Sequence, residues 1–210
     1  MSYFPIYLDM SRRRCLVIGG GAVAERKIAA LLETGAEVTV LAPDVTDVVA
    51  GLSKQNAIRF TARCYEAGDL DGFELAFVAT DDPQVNAAVY REGRSRGVWV
   101  NSADDPDNCS FTLMSVIRRG DLVVTVGTGG RSPALATWLK ERITTEIGPE
   151  YETLVELLAD ARDEIQADGR STEDADWKRA LDSGMLDLIR AGRVDDAKEL
   201  LRSCLSSSLA

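Results

Sequence analysis

The chain has 210 residues, of which 45% are hydrophobic and 28% charged, with a formal net charge of −10 and no histidine. This is the composition of a globular protein with one ordinary domain and a smaller appendage. The negative charge argues against nucleic acid as the main partner, because phosphate binding needs a basic face, and the absence of histidine removes imidazole as a general base or metal ligand.

Short β-branched runs alternate with helix-period stretches through the first hundred residues, which is typical of a parallel sheet wrapped by helices. The predicted strands are residues 14–18, 37–41, 58–62, 75–79 and 98–101. The predicted helices are residues 23–34, 45–53 and about 83–96. Gly35 is expected to close the first helix, since a left-handed cap favours glycine.

After residue 101 the alternation of strands and helices ends. A polar loop at residues 102–109 is followed by two strand-like runs, 111–117 and 122–126, with a hairpin turn at Arg119-Gly120. A second glycine-rich loop leads into Ser132-Pro133, which opens a helix to about residue 147. From residue 149 the chain is helical, charged and amphipathic, with breaks near Gly169 and Gly184.

The strongest motif is the glycine turn after the first strand. Gly19, Gly21 and Ala24 fit G-x-G-x-x-G/A at the start of a helix, where glycine permits close approach of a pyrophosphate. The acid expected at the end of the second strand is missing. Asp44, after Pro43, comes about three residues late and either holds a ribose or caps the next helix. No arginine replaces the acid, so nothing favours NADP.

Further polar residues follow the fourth and fifth strands. Thr80-Asp81-Asp82 is either a polar wall near a cofactor or a helix cap. Among Asp104, Asp105 and Asp107, a carboxylate near a nicotinamide would accept a proton as hydride leaves. The alternative for these aspartates is a solvated acidic loop.

The second glycine loop is also a natural anion site. Gly129 and Gly130 precede a helix that starts at Ser132, and Arg131 beside this helix start would hold a substrate carboxylate. The alternative is an ordinary capped helix. Cys109 is interpreted as a buried thiol rather than a nucleophile, since no histidine is present to activate it.

The four cysteines form no CxxC pair and are expected to be reduced thiols of a cytoplasmic protein. The longest apolar runs have strand length, and the start of the chain lacks a basic, apolar leader, so neither a membrane segment nor secretion is expected. No protein metal site is predicted.

Taken in order, the motifs resemble one family. They are Phe4-Pro5-Ile6-Tyr7-Leu8, the glycine turn from Val17 to Lys27, Ala79-Thr80-Asp81-Asp82, Val100-Asn101 with Asp104, Phe111, and Thr128-Gly129-Gly130-Arg131-Ser132-Pro133. Together they look like the precorrin-2 dehydrogenases, which also form the N-terminal module of multifunctional sirohaem synthases. The resemblance is close over residues 3–145.

The resemblance implies an α/β fold: an NAD-binding Rossmann domain with a parallel sheet at residues 1–112, a small dimerisation region at 113–148 and a helical C-terminal domain at 149–210. It implies a homodimer and a functional aspartate at Asp104. It places a residue that is a phosphorylated serine in some bifunctional members at Thr128. Met114 stands where relatives commonly carry proline.

The function implied by the resemblance is NAD-dependent oxidation of precorrin-2 to sirohydrochlorin in sirohaem biosynthesis. One alternative is a bifunctional dehydrogenase and sirohydrochlorin ferrochelatase, with Asp104 serving both reactions. A rival of another class is a non-catalytic NAD-sensing Rossmann module. A basic rim of Arg131, Lys140 and Arg142 is the hypothesis for binding the carboxylate-rich substrate.

The expected site residues are, for catalysis, Asp104; for the cofactor, Gly19, Gly21, Ala22, Val23, Pro43, Asp44 and Thr80; and for the substrate, Thr128, Gly130, Arg131 and Ser132.

Overall fold

The computed structural model describes residues 3–103 and 105–206. Asp104, the expected catalytic residue, lies outside the described residues. The chain divides into two compact units, the first ending at Leu113 and the second beginning at Met114. The second unit contains both the expected dimerisation region and the expected helical domain, and a boundary between them near residue 148 stays a prediction.

The first unit is a five-stranded parallel sheet in the order β3-β2-β1-β4-β5. Its strands are β1 (Arg14–Ile18), β2 (Glu37–Ala42), β3 (Arg59–Ala62), β4 (Leu75–Val78) and β5 (Trp99–Ser102). Its helices are α1 (Ala22–Leu32), α2 (Asp47–Lys54) and α3 (Pro83–Arg96). The predicted α/β architecture is confirmed, and each of these elements lies within two residues of its expected bounds.

The strand order places a topological switch point at β1. Ile18, its last residue, pairs with Leu41 of β2 on one side and with Val78 of β4 on the other. The chain leaves β1 towards β2 and later crosses to β4, so the connections diverge at this edge. In such sheets the crevice outside the carboxyl ends of the strands at the switch point is where ligands bind.

Both faces of the sheet are buried, as a parallel sheet requires. On one face, Val17, Val40 and Phe77 pack with Ile28 of α1. On the other face, a second cluster contains Leu16, Ile18, Val78 and Val100 from the strands and Val89 of α3.

The connection from β3 to β4 contains no helix; residues 63–74 form turns and irregular structure. Glu92 of α3 anchors this connection by accepting hydrogen bonds from the backbone N–H groups of Gly68 and Leu70 and from the Tyr65 hydroxyl.

The second unit begins with an antiparallel hairpin of β6 (Ser115–Arg119) and β7 (Leu122–Val126). The expectation that the first strand begins at residue 111 is wrong. Phe111 instead packs in the core of the first unit, with its ring centroid 5.6 Å from that of Phe77 in an edge-to-face arrangement. Phe111 is therefore not part of the hairpin, because its ring packs against Phe77 of β4.

Up to residue 206, where the description ends, five helices follow the hairpin: α4 (Pro133–Glu146), α5 (Glu150–Ala167), α6 (Trp177–Leu181), α7 (Met185–Arg190) and α8 (Val194–Ser206). Leu154, Leu157, Met185 and Leu201 belong to one buried cluster that joins α5, α7 and α8. No helix in the described ranges is long and apolar enough to cross a membrane.

Candidate functional site

The three glycines after β1 have different environments. Gly19 has φ of +117°, and a Cβ there would lie 2.7 Å from the carbonyl carbon of Ala79. At Gly20 a Cβ would lie 2.8 Å from the Val45 side chain. At Gly21, which is exposed, a Cβ would meet nothing within 4 Å. Two glycines therefore make the turn sterically possible, and the third leaves open space.

That open space lies at the start of α1. Gly21 is the N-cap residue and supplies no side-chain hydrogen bond, while its carbonyl accepts the first helical bond from the Glu25 N–H at 3.0 Å. The amides of Ala22 and Val23 are therefore without a side-chain acceptor. Exposed N–H groups and the positive end of the helix dipole together favour an anion at this place.

The structure resolves one of the two interpretations of Asp44. The N-cap of α2 is Thr46, whose hydroxyl accepts from the Val49 N–H at 3.3 Å and donates to the Glu25 carboxylate at 2.7 Å. The helix-cap interpretation of Asp44 is therefore wrong. Pro43 and Asp44 are exposed at the carboxyl end of β2, next to the glycine turn.

Thr80 and Asp82 have separate roles at the end of β4. Asp82 caps α3 by accepting from the Gln84 N–H at 2.8 Å, which confirms the helix-cap interpretation for this residue. The half-buried Thr80 donates its hydroxyl to Asn86 Oδ1 at 3.0 Å and accepts from the Asp82 N–H at 3.3 Å. Asp81 is exposed.

Asn86 is a residue that sequence reasoning missed. It is only 6% exposed, although it is polar and lies in the first turns of α3. The available signal was its position four residues after the capping Asp82, on the same side of the helix as the inward-facing Val89. A buried amide needs hydrogen-bond partners, and Thr80 and Asp105 are those partners.

The residues on either side of position 104 are hydrogen-bonded. The Ala103 N–H donates to the Val78 carbonyl at 2.8 Å, which extends the pairing of β5 with β4. Asp105 accepts from Asn108 Nδ2 at 2.8 Å and from Asn86 Nδ2 at 3.5 Å. The solvated-loop interpretation therefore fits the exposed Asp107 but not the half-buried Asp105.

Cys109 is held in the same loop. Its thiol lies 3.3 Å from the carbonyl oxygens of Ser102 and Asp105 and accepts from the Ser102 N–H at 3.2 Å. Burial raises the pKa of the Cys109 thiol, which favours its unreactive protonated form. Cys109 is half-buried rather than fully buried as expected, and its contacts and raised pKa support the prediction that it is not a nucleophile.

The second glycine loop, in the second unit, is closed by Thr128. Its hydroxyl donates to the Ser132 carbonyl at 3.1 Å and accepts from the Ser132 N–H at 3.2 Å. Ser132 caps α4 by accepting from the Leu135 N–H at 3.2 Å. Gly129 and Gly130 have φ of +63° and +77° with open space around them. Arg131 is exposed and forms no ion pair within the described ranges.

Further cations lie along α4. The guanidinium of Arg142 lies 4.9 Å from the ring centroid of Trp138, and Lys140 is exposed. Trp138 and Leu135 are 51% and 47% exposed. Within the described ranges no group of three or more His, Cys, Asp or Glu side chains is arranged to hold a metal ion.

A half-open pocket of the first unit lies elsewhere. It measures about 240 Å³ and is lined by Arg14, Glu37 and Arg59, the first residues of β1, β2 and β3, among others. These are the amino ends of the strands, opposite the glycine turn. The candidate cofactor site is thus an open surface at the carboxyl edge, where the amides and polar side chains converge.

Comparisons with known proteins agree with this geometry. Residues 6–115 match a family described as "Putative NAD(P)-binding". The siroheme synthase of Methylococcus capsulatus is 40% identical over 204 residues, covering 96% of this chain and 43% of that protein. That of Photobacterium profundum is 34% identical over 210 residues, covering 99% of this chain and 45% of that protein. The chain thus spans less than half the length of these relatives.

A solved structure gives independent support for the fold. The structure titled "SirC, precorrin-2 dehydrogenase" matches with a TM-score of 0.76 and 24% identity, covering 96% of this chain and 100% of that chain.

Proposed function

The chain belongs to this NAD(P)-binding family, and from that premise we propose that it is a dehydrogenase that oxidises precorrin-2 to sirohydrochlorin, with NAD⁺ as the hydride acceptor. The observation that carries the proposal is the uncapped start of α1 at the open Gly21, located at the switch point of the sheet. The substrate is proposed from the similarity to siroheme synthases over nearly the whole chain.

The residues at the carboxyl edge fit a dinucleotide. The open space at Gly21 admits a pyrophosphate, and the amides of Ala22 and Val23 supply donors for it. The exposed Asp44 supports NAD over NADP, because its carboxylate would accept from a ribose hydroxyl and would repel a 2′-phosphate.

The chemistry requires one hydride and one proton to leave the tetrapyrrole. Bound NAD⁺ supplies the hydride acceptor. We assign the proton to Asp104, on the resemblance to precorrin-2 dehydrogenases, as the general base of the reaction. Its chain neighbours are fixed by the bonds from Ala103 to β4 and from Asn86 and Asn108 to Asp105.

The proposed substrate contacts are in the loop at residues 128–132. Precorrin-2 carries many carboxylates, whereas the chain has a net charge of −10, so binding needs local positive charge. Arg131 supplies it from an exposed position, and the hydroxyls of Thr128 and Ser132 hold the loop in shape. Gly130 leaves the loop open to a ligand.

A homodimer is part of the proposal. Leu135 and Trp138 lie three residues apart on α4 and expose about half of their surfaces, and pairing of two copies would bury such an apolar stripe.

The free cysteines fit a reducing, cytoplasmic location.

The test is an anaerobic absorbance assay with precorrin-2 and NAD⁺. The protein is expected to produce sirohydrochlorin and NADH in equal amounts, and Asp104→Ala to reduce kcat by at least about 100-fold, the contribution typical of a general base. Asp107→Asn, in the same loop but exposed, is the matched control and should retain wild-type turnover.

Three results would contradict the proposal: no binding of NAD⁺ by the wild-type protein, full turnover by Asp104→Ala, or binding of NAD⁺ without any change in precorrin-2. The same preparation, given sirohydrochlorin and ferrous or cobaltous ion, tests the bifunctional alternative, because metal insertion changes the absorbance spectrum. A protein that binds NAD⁺ but leaves precorrin-2 unchanged would be a sensing module instead.

A further inference from the structure

Thr80, Asn86 and Asp105 form a hydrogen-bond chain at the end of β4. Asp105 Oδ2 lies 3.5 Å from Asn86 Nδ2, and Asn86 Oδ1 lies 3.0 Å from Thr80 Oγ1. A carboxylate only accepts hydrogen bonds. The Asn86 amide therefore directs its NH₂ group to Asp105 and its carbonyl oxygen to Thr80.

This orientation of the Asn86 amide determines which hydrogen bonds the Thr80 hydroxyl can still form with a ligand. A threonine hydroxyl has one proton and two lone pairs. The proton is used by Asn86 Oδ1, and one lone pair receives the Asp82 N–H at 3.3 Å. One lone pair remains on Thr80 Oγ1, at the carboxyl end of β4. A ligand atom that meets this oxygen favourably must itself be a donor.

We propose that Asn86 is a positioning residue that makes Thr80 an acceptor only, so that Thr80 takes an N–H or O–H donor of the dinucleotide and disfavours its phosphate oxygens. The inference rests on the proposed NAD⁺ site and deepens it. A dinucleotide carries donors on the ribose hydroxyls and the nicotinamide carboxamide, whereas its pyrophosphate oxygens only accept. The pyrophosphate is then kept for the amides at Gly21, and Thr80 contacts another part of the ligand.

The burial of Asn86 supports this role. The side chain is 6% exposed, so its amide cannot turn over without leaving buried polar atoms unpaired, which is unfavourable. The orientation of the Thr80 hydroxyl is therefore set before the cofactor binds. Such preorganisation strengthens binding because less conformational freedom is lost on association.

The experiment measures Kd for NAD⁺ by calorimetry on the full chain. Thr80→Val removes the acceptor at nearly constant shape and should weaken NAD⁺ binding about 2- to 12-fold, the effect of one neutral hydrogen bond. Thr80→Ser keeps the hydroxyl and should bind as the wild type does. Thr61→Val is the matched control, because Thr61 is exposed on β3, separated from β4 by two strands.

A double-mutant cycle separates positioning from general stability. If Asn86 acts through Thr80, Asn86→Ala weakens NAD⁺ binding in the wild-type background and has little further effect in the Thr80→Val background. Effects that multiply would show that Asn86 acts independently of Thr80 and would overturn the proposal, as would wild-type affinity in Thr80→Val.

One analogue identifies the donor. The 3-acetylpyridine analogue of NAD⁺ lacks the carboxamide N–H but keeps every ribose hydroxyl. If the carboxamide is the donor, Thr80→Val weakens NAD⁺ but not the acetylpyridine analogue; if a ribose hydroxyl is the donor, it weakens both. Failure of the wild-type protein to bind NAD⁺ at all would refute the proposed function, whereas wild-type binding with an unaffected Thr80→Val variant would refute this inference alone.

Discussion

Gly19→Ala should lower the stability of the fold, whereas Gly21→Ala should weaken cofactor binding, although the two glycines are two residues apart in one turn. Gly19 has φ of +117°, which alanine rarely adopts, and its Cβ would overlap the backbone of Ala79. Gly21 has φ of −81° and ψ of −173°, an extended conformation open to any residue, with nothing within 4 Å of its Cβ. Gly19→Ala therefore perturbs the fold, and Gly21→Ala perturbs the ligand site.

The magnitudes follow from these geometries. At Gly19 the backbone conformation costs about 1–3 kcal/mol and the overlap about 1–3 kcal/mol more, against a total stability of roughly 5–15 kcal/mol for a protein. At Gly21 the reduced freedom of the unfolded chain stabilises by about 0.4–1 kcal/mol. The weaker N-cap preference of alanine offsets this by a similar amount. Gly21→Ala should therefore leave the free energy of unfolding nearly unchanged.

Urea unfolding followed by circular dichroism measures stability, and calorimetry with NAD⁺ measures binding. Gly19→Ala should lower the free energy of unfolding by at least about 2 kcal/mol, the lower limit of its two costs. Gly21→Ala should unfold like the wild type but bind NAD⁺ about tenfold more weakly or worse, because its Cβ projects into the space assigned to the pyrophosphate. Wild-type affinity in Gly21→Ala would refute this assignment, and wild-type stability in Gly19→Ala would refute the steric argument.

Three further predictions test the rest of the structure. Burial raises the pKa of the Cys15 thiol to about 11 and also raises the pKa of the Cys109 thiol, so both stay protonated and unreactive at pH 8. A thiol reagent should therefore react fast only with the exposed Cys64, and Cys64→Ser should abolish the fast phase. For Glu92, burial raises the pKa, but the hydrogen bonds from Tyr65 and two backbone amides outweigh it, so the folded-state pKa is lowered from 4.5. The resulting stability is present above that value and is lost as the pH falls through the lower folded-state pKa. Glu92→Gln should therefore lower the free energy of unfolding by about 1–3 kcal/mol at pH 7 and by less at pH 3, and a pH-independent difference would count against this account. Thr128→Val should lower kcat/KM for precorrin-2 while Thr128→Ser retains it, because only the hydroxyl closes the loop onto Ser132; equal activity of the two variants would contradict that role.

The secondary structure was predictable wherever its signals are local. β1 and β7 have the expected bounds, because apolar runs between turn residues depend on neighbouring positions alone. The caps of α3 and α4 were predictable for the same reason, since Asp82 and Ser132 each bond to an amide within three residues. The glycine turn was recognisable because a positive φ requires glycine.

The site was predictable only in part. Gly21 and the start of α1 lie where the motif placed them. The cap of α2 could not be assigned, because Asp44 and Thr46 are both good capping residues and the choice depends on the backbone path between β2 and α2. The second glycine loop and the Ser132 cap lie where the sequence placed them, but the two bonds that Thr128 makes to Ser132 follow from the folded loop.

The order of elements, the glycine turn and the family resemblance could be recognised from the amino-acid sequence, because periodicity, caps and turn conformations are properties of adjacent residues. The burial of Asn86 between Thr80 and Asp105, and the packing of Phe111 beside Phe77 rather than in the hairpin, became visible in the folded chain. Such contacts join residues 6 to 34 positions apart. Their pairing depends on which strands become neighbours in the sheet, and no local pattern specifies that.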